Sequence, residues 1–406
     1  MRKWLVIILL ALVTLPLRGQ VDSVRLGYAV KGTVLDAHTG RPLESVHVSI
    51  PGRHLATVTN ADGDFILKSD RTITDVEFSY LGYKTVRQKA SAKMVVRMQR
   101  GTLMLSEASI IAGDPELIVK AALRRLEETY CTQPELLECF YRETVQKRNR
   151  YTYVAEAVAR LYKYTFEWGT TRDAAALEKS RVLVSPRKRD TLAVKTMGGP
   201  NQAITHDLIK DTDVLFYEGD MDLYSFRMEM PSYIGDRLQF VISMTPVGEA
   251  PDYALYHATL YIDRELLTFT RIEASLDMAD KDKATKMLLV KKPIGLRFFP
   301  EEATLVMNYR LDGEKCRLEY FKSIIRFDCD WRKRLFKTRY SVVNELVVTD
   351  VRPEAVPIPR KERFDLRDVL NDKAPEFQDP DFWKDYNIIE PTESLEHAIG
   401  RLKKGR

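Results

Sequence analysis

Apolar and polar residues alternate one for one along three stretches in the middle of this chain. Tyr224, Phe226, Met228 and Met230 are separated by Ser225, Arg227 and Glu229, and Leu238, Phe240, Ile242 and Met244 repeat the spacing. Ile272, Ala274, Leu276 and Met278 alternate with Arg271, Glu273, Ser275 and Asp277. A period of two belongs to a strand, and one wet face opposite one apolar face belongs to an antiparallel sheet. The spacing predicts further strands near 304–310, 317–327 and 342–349. Asp114 and Pro115 supply an N-cap and a first helical residue, and Val119, Ala122, Leu123, Leu126 and Tyr130 then fall on one stripe, which predicts a helix ending near Tyr130. Together these patterns predict an α+β domain over 114–350, a strongly curved antiparallel sheet with helices against it.

Other parts of the 406 residues bound the compartment. Arg2 and Lys3 precede an apolar run from Trp4 to Leu15, too short to span a bilayer comfortably, and Pro16 to Gly19 follow. This is the pattern of a secretory leader over 1–19, with no cysteine beside it to carry a lipid. The 63 Lys and Arg against 58 Asp and Glu leave a charge of +5, and Arg2, Lys3 and Arg18 lie in that leader. Such a balance excludes a dominant basic face, and with it a nucleic-acid partner. Cys131, Cys139, Cys316 and Cys329 match no metal or redox spacing. In an oxidising compartment two local bridges, Cys131–Cys139 and Cys316–Cys329, stand beside the alternative of four reduced thiols.

Between 28 and 99 the chain breaks into short strands near 28–35, 46–50, 56–59, 65–67, 76–80 and 95–98. The breaks carry turn chemistry in Asp36 to Gly40, Pro42, and Asn60-Ala61-Asp62-Gly63. Such a series predicts a small β-sandwich. Gly32-Thr33-Val34 with Asp36, Gly40-Arg41-Pro42-Leu43, Val46 and Val48, Thr59 to Phe65, and Ser79-Tyr80-Leu81-Gly82-Tyr83 resemble the carboxypeptidase regulatory-like domain. The resemblance implies a seven-stranded transthyretin-like or Ig-like sandwich without catalytic residues. It also implies the setting of exported Bacteroidota proteins, where this domain follows the signal peptide. Phe140-Tyr141-Arg142-Glu143, Gly198-Gly199-Pro200, Tyr261-Ile262-Asp263 and the stretch from Phe382 to Ile389 resemble envelope proteins that carry the same front domain. The element around 261–272 is similar to one in LolA-like lipoprotein carriers.

The tail, 351–406, is punctuated by Pro353, Pro357, Pro359, Pro375 and Pro380. It reads as a charged strap packed on the main domain by Phe382, Trp383, Tyr386 and Ile388, ending in a short helix from Glu393 to Lys404. Catalytic signatures are missing. None of His38, His47, His54, His206, His257 and His397 opens a zinc motif, and there is no nucleophile elbow, P-loop or dinucleotide fingerprint. No catalytic residue, metal ligand or cofactor is therefore assigned. Asp277, Asp280 and Asp282 with Lys281 and Lys283 read as a solvated hairpin tip, and the basic runs 187–189 and 332–334 as solvated faces. Arg142 and Glu143, adjacent on a strand, point to opposite faces and serve structure.

The expectation is a mainly β, non-enzymatic envelope protein in the periplasm, associated with the outer membrane. Its front module docks, and its main domain binds a lipid or other apolar ligand, or an outer-membrane protein. Phe226, Met228, Phe240, Ile242 and Ile272 are the expected lining of a cavity, because a sheet covered by few helices leaves apolar surface without a protein partner. The alternatives are a carboxypeptidase-type hydrolase and a purely structural subunit.

Overall fold

The computed structural model describes residues 27–101, 113–187, 190, 199–248, 251–289, 293–331, 336–365, 368, 370–373, 383 and 385–404. The expected leader, the linker beyond Gly101, Lys188, Arg189, Gly198, the run 332–334, Pro375, Pro380 and Phe382 lie outside them. The protein is mainly β.

The front sandwich comprises β1 (Tyr28–Asp36), β2 (His47–Ser49), β3 (Ala56–Val58), β4 (Asp64–Ser69), β5 (Asp75–Ser79), β6 (Val86–Lys89) and β7 (Lys93–Met98). Among the described residues these form one sheet of order β4-β1-β7 and another of order β3-β2-β5-β6. β6 left no mark in the sequence because its residues after Val86 are exposed. Val34, Val48, Leu67, Val76, Phe78 and Met98 close the core between the sheets. The residues that carry the resemblance are structural. A Cβ on Gly32 would overlap the Met94 carbonyl and stand 2.9 Å from the Phe65 ring, so only glycine lets β1 pass there. Asp36 is buried and accepts the Tyr83 hydroxyl at 2.6 Å and the backbone amides of Thr39 and His38, which hold its carboxyl well below the usual range.

The large sheet comprises β8 (Glu135–Lys147), β9 (Arg150–Lys163), β10 (Ala174–Val184), β11 (Tyr224–Met228), β12 (Ser232–Ile234), β13 (Arg237–Pro246), β14 (Tyr256–Asp263), β15 (Phe269–Leu276), β16 (Leu296–Asp312), β17 (Lys315–Trp331) and β18 (Thr338–Arg352). Among the described residues it is antiparallel throughout, in the order β10-β9-β8-β18-β17-β16-β15-β14-β13-β11, with β12 beside β13. The pairing of β18 with β8 brings the last strand back beside the first. Register sets one continuous apolar row across the inner face: Met228, Ile242, Leu260, Ile272, Met307, Phe321, Leu346, Tyr141 and Ala157.

The inner face is covered by α1 (Pro115–Arg124), α2 (Leu126–Thr129), α3 (Gln202–Thr205), two 3-10 turns at Thr212–Val214 and Glu218–Leu223, and α4 (Lys281–Leu288). Asp114 caps α1 as expected, but the helix stops at Arg124 and α2 carries the chain to Thr129. Val119, Ala122, Leu126, Ile204, Leu208 and Phe216 fill the space between cover and sheet.

The outer face carries the sandwich. Val58 and Ile66 of the sandwich, Phe140, Tyr320 and Val347 of the sheet, and Ile388 and Ile389 of the tail form one cluster, with Trp383 against it. The tail is thus a wedge between two domains and not a strap on one. Its Asn387 exchanges hydrogen bonds with the backbone of Lys68, accepting at 2.6 Å and donating at 3.1 Å. Earlier in the tail, Phe364 donates its amide to the Ala175 carbonyl at 2.7 Å and seats its ring in the inner core. The terminal helix, here α6 (Glu393–Lys404) after α5 (Leu370–Lys373), lays Leu395, Ile399 and Leu402 against Val154 and Leu183 on the outer face.

All four cysteines are free and buried. Cys316 and Cys329 sit on one strand thirteen residues apart, which at about 3.3 Å per residue is about 40 Å, far beyond bridging distance. Asp280 caps α4 by accepting the Asp282 and Lys283 amides at 3.0 and 3.1 Å, so the expected hairpin tip is a helix start.

Candidate functional site

The five residues expected to line a cavity share the inner face, but the structure packs them. Ile242 and Ile272 are fully buried, and Phe226, Met228 and Phe240 pack against the same core. None of them lines either of the two hollows described below. The correction has a physical cause. α1 and the turn Glu218–Leu223 cover the β11 end of the sheet, placing Val119, Ala122, Met221 and Tyr224 in the same core.

A cavity of about 240 Å³ opens farther along the inner face, beneath α4. Its sheet side is Leu305 with Ala303 and Ser323 with Ile325, on neighbouring strands β16 and β17. Gln202, Thr205 and His206 of the cover form one wall, and Met287 and Leu288 of α4 form the roof. α4 spans only eight residues and buries Ala284 alone in full, so it leaves the apolar floor incompletely covered. Among the described residues the lining holds no Lys, Arg, Asp or Glu.

A chain of hydrogen bonds runs from that wall across the inner face. Ser323 donates to Gln202 Oε1 at 3.2 Å and accepts from Asn344 Nδ2 at 2.9 Å, and Asn344 Oδ1 accepts the Tyr141 hydroxyl at 3.1 Å. The Tyr141 hydroxyl also lies 2.9 Å from Glu143, and the Gly199 amide donates to both. Burial pushes the Glu143 carboxyl up, and burial with the Glu143 charge raises the Tyr141 phenol. Arg142 lies on the opposite face, bonded to Glu156 at 2.9 Å and to the Ile389 carbonyl at 2.6 Å, as strand alternation requires.

Beside the chain sits a group that local sequence reasoning missed. Lys163 of β9 reaches Asp207 at 2.7 Å and Asp173 at 2.9 Å, and Lys210 bonds Asp173. Tyr130 and Tyr309 donate their hydroxyls to Asp207 at 2.5 and 3.1 Å. All four charged side chains are at most 1% exposed. Two positive and two negative charges compensate one another and pin the cover to the sheet. No spacing betrays them, because they come from β9, the turn before β10 and the loop after α3.

A second hollow, a cleft of about 360 Å³, lies between sandwich and sheet. Its lining carries several polar and charged side chains, and these are largely engaged with one another. His47 meets Glu319 at 3.0 Å, Arg271 reaches Asn308 and Glu273 at 2.7 Å each, and Arg237 grips Asp263. Burial pushes the Glu319 carboxyl up, but His47 and Arg310 outweigh it and hold the group below its ordinary value. This cleft is a joint between domains. Among the described residues no three His, Cys, Asp or Glu side chains come together as a metal site would need.

Residues 30–111 match the CarboxypepD_reg-like domain family. No curated protein matches the chain. Three solved structures are similar over a larger part of it. A domain described as outer membrane lipoprotein-sorting, from Vibrio parahaemolyticus, is 11% identical, covering 59% of this chain and 93% of its own, with a TM-score of 0.24. A LolA superfamily protein from Nitrosomonas europaea is 13% identical, covering 62% and 100%, with a TM-score of 0.19. MucB in complex with MucA(peri) is 13% identical, covering 60% and 100%, with a TM-score of 0.17. TM-scores this low carry no argument about the ligand.

Proposed function

We propose that this chain, carrying a CarboxypepD_reg-like domain at residues 30–111, is a non-enzymatic envelope protein that binds an apolar ligand beneath α4. The observation that carries the reading is the cavity itself, open space above an apolar floor of Leu305 and Ile325. A hydrolase reading finds no support there. The Ser323 hydroxyl is engaged by Gln202 and Asn344, and the His206 nitrogen nearest a hydroxyl, Nδ1, lies 3.1 Å from the Gln202 carbonyl, so it carries a proton and has no lone pair to accept one. The sandwich acts as a module seated on this chain's own sheet, with the tail as the wedge. Export to the periplasm belongs to the same proposal, and no helix among the described residues is long and apolar enough to cross a membrane. Amino-terminal sequencing of the envelope form should begin at Gln20, and Met1 retained would overturn the leader.

The cavity is tested with the neutral dye Nile red and the delipidated protein. Saturable binding is expected in the wild type. Ile325→Trp, which grows a side chain into the cavity from a half-buried position, should abolish binding while leaving the melting temperature unchanged or raised. Equal dye binding by both proteins would place the dye elsewhere and refute the reading.

A further inference from the structure

We infer that the cavity selects a single-chain amphiphile whose head is uncharged and donates a hydrogen bond, such as a hydroxyl, and that Nε2 of His206 is the atom that reads it. The inference rests on the reading of the cavity as a ligand site.

His206 follows α3, and its ring stacks on Phe321 of the sheet with centroids 6.3 Å apart and planes 28° apart, which fixes its orientation. Its Nδ1 lies 3.1 Å from the Gln202 carbonyl oxygen and 3.2 Å from the Thr205 hydroxyl. A carbonyl only accepts, so Nδ1 carries the proton, and in the neutral ring Nε2 is left as an acceptor. Burial pushes the His206 pKa down, which favours that neutral ring. Nε2 makes no hydrogen bond to a described residue, and the half-buried side chain lines the cavity. Ser323 on the sheet side is already engaged.

Charge and size complete the selection. With no Lys, Arg, Asp or Glu among the described residues of the lining, an ionised head entering the cavity would lose its hydration without gaining a partner from them. At about 240 Å³ the cavity falls just below the roughly 300–1,000 Å³ common for small-molecule pockets, so it suits one acyl chain and not two.

The experiment displaces Nile red from the mature full-length chain at pH 7.5 with three amphiphiles of one chain length: an alkyl alcohol, its methyl ether and the corresponding carboxylate. The alcohol should bind about ten-fold tighter than the ether, which offers no donor, and at least that much tighter than the carboxylate. His206→Phe should retain dye binding and bring alcohol and ether to within about two-fold. His206→Gln, whose side-chain oxygen again accepts, should restore part of the preference. Equal binding of alcohol and ether by the wild type, or tighter binding of the carboxylate, overturns the inference while leaving the cavity reading intact. A wild type that binds neither dye nor amphiphile defeats the cavity reading first. Should His206→Phe lose its fold by circular dichroism, the wild-type ranking and the His206→Gln variant decide the matter.

Discussion

Asp207→Asn is the perturbation that most directly tests how the cover is held. The carboxylate is fully buried and serves Lys163 at 2.7 Å, the Tyr130 hydroxyl at 2.5 Å and the Tyr309 hydroxyl at 3.1 Å. All three are donors. An amide keeps one accepting oxygen, turns an NH₂ toward a site now served by three donors so that a tyrosine hydroxyl must turn round to accept it, and removes the charge that balances Lys163. The two lysines would then share Asp173 alone, leaving a net positive charge in the core. Removing one partner from a buried ion pair costs about 3–5 kcal/mol, most of it from the charge left behind. Lys163→Met in the same chain removes that orphaned charge and restores a neutral pair of Lys210 with Asp173. The double variant should therefore be more stable than Asp207→Asn alone by at least about 1 kcal/mol, with a coupling energy near the upper part of the ~0.5–3 kcal/mol range for contacting residues. Equilibrium urea unfolding measures the cycle, and hydrogen exchange at the amides of Ile204, His206 and Lys210 reports whether the cover loosens before the sheet. If the two substitutions add within about 0.5 kcal/mol, the four side chains do not act as one charge-compensated group and the reasoning fails.

Three further outcomes follow from particular side chains. Lys68 is buried with its amine between the Trp383 and Tyr386 carbonyls, and burial pulls its pKa from the ordinary 10.5 down to about 8 despite the opposing charge of Glu390. Between those pH values the unfolded chain holds a proton the folded chain has shed, so this group makes stability rise with pH by up to about 3 kcal/mol. Lys68→Met should lack the rise when the two proteins' denaturation midpoints are compared from pH 7.5 to 10.5. Gly199 has φ +87°, and a Cβ there would enter the Phe364 ring, so Gly199→Ala should cost about 2 kcal/mol or more in urea unfolding and release the tail's hold on the inner face. The four buried thiols, each held above its ordinary pKa chiefly by burial, should react slowly in the native protein, yet all four should be alkylated after denaturation without reductant. Fewer than four would reveal a bridge.

What the sequence made legible depended on solvent. β11, β13 and β15 carry the alternation at 224–230, 238–244 and 272–278 because each has a polar face to alternate with. β8 and β9 hide the same geometry. Phe140 and Arg142 lie under the sandwich and tail while Tyr141 points into the inner core, so neither face of the strand reads as wet. The cover was illegible for a different reason. Its short helices and 3-10 turns have no sustained period, and Asp207 and Lys210 look like solvated loop residues although their side chains are fully buried. α4 escaped because five of its eight residues are polar or charged, which also explains why the cavity was expected at the β11 end and lies at the α4 end.

The placement of the cavity relative to the sandwich follows from one strand. On β17, Tyr320 and Lys322 face outward, where Tyr320 packs with Val58 and Ile66 and Lys322 pairs with Glu44 of the sandwich and Glu345 of β18. Phe321 and Ser323, the intervening residues, face inward, where one carries the His206 ring and the other holds the polar wall. The sandwich interface and the cavity wall are therefore separated by the thickness of a single strand and share its backbone. Neighbouring β18 repeats the arrangement, with Glu345 outward and Asn344 inward. On β17 the two sites meet at adjacent residues, Lys322 belonging to the sandwich interface and Ser323 to the cavity lining. The sandwich needs no catalytic residue to matter in this arrangement, because its seat on the outer face holds the backbone from which the cavity wall is built.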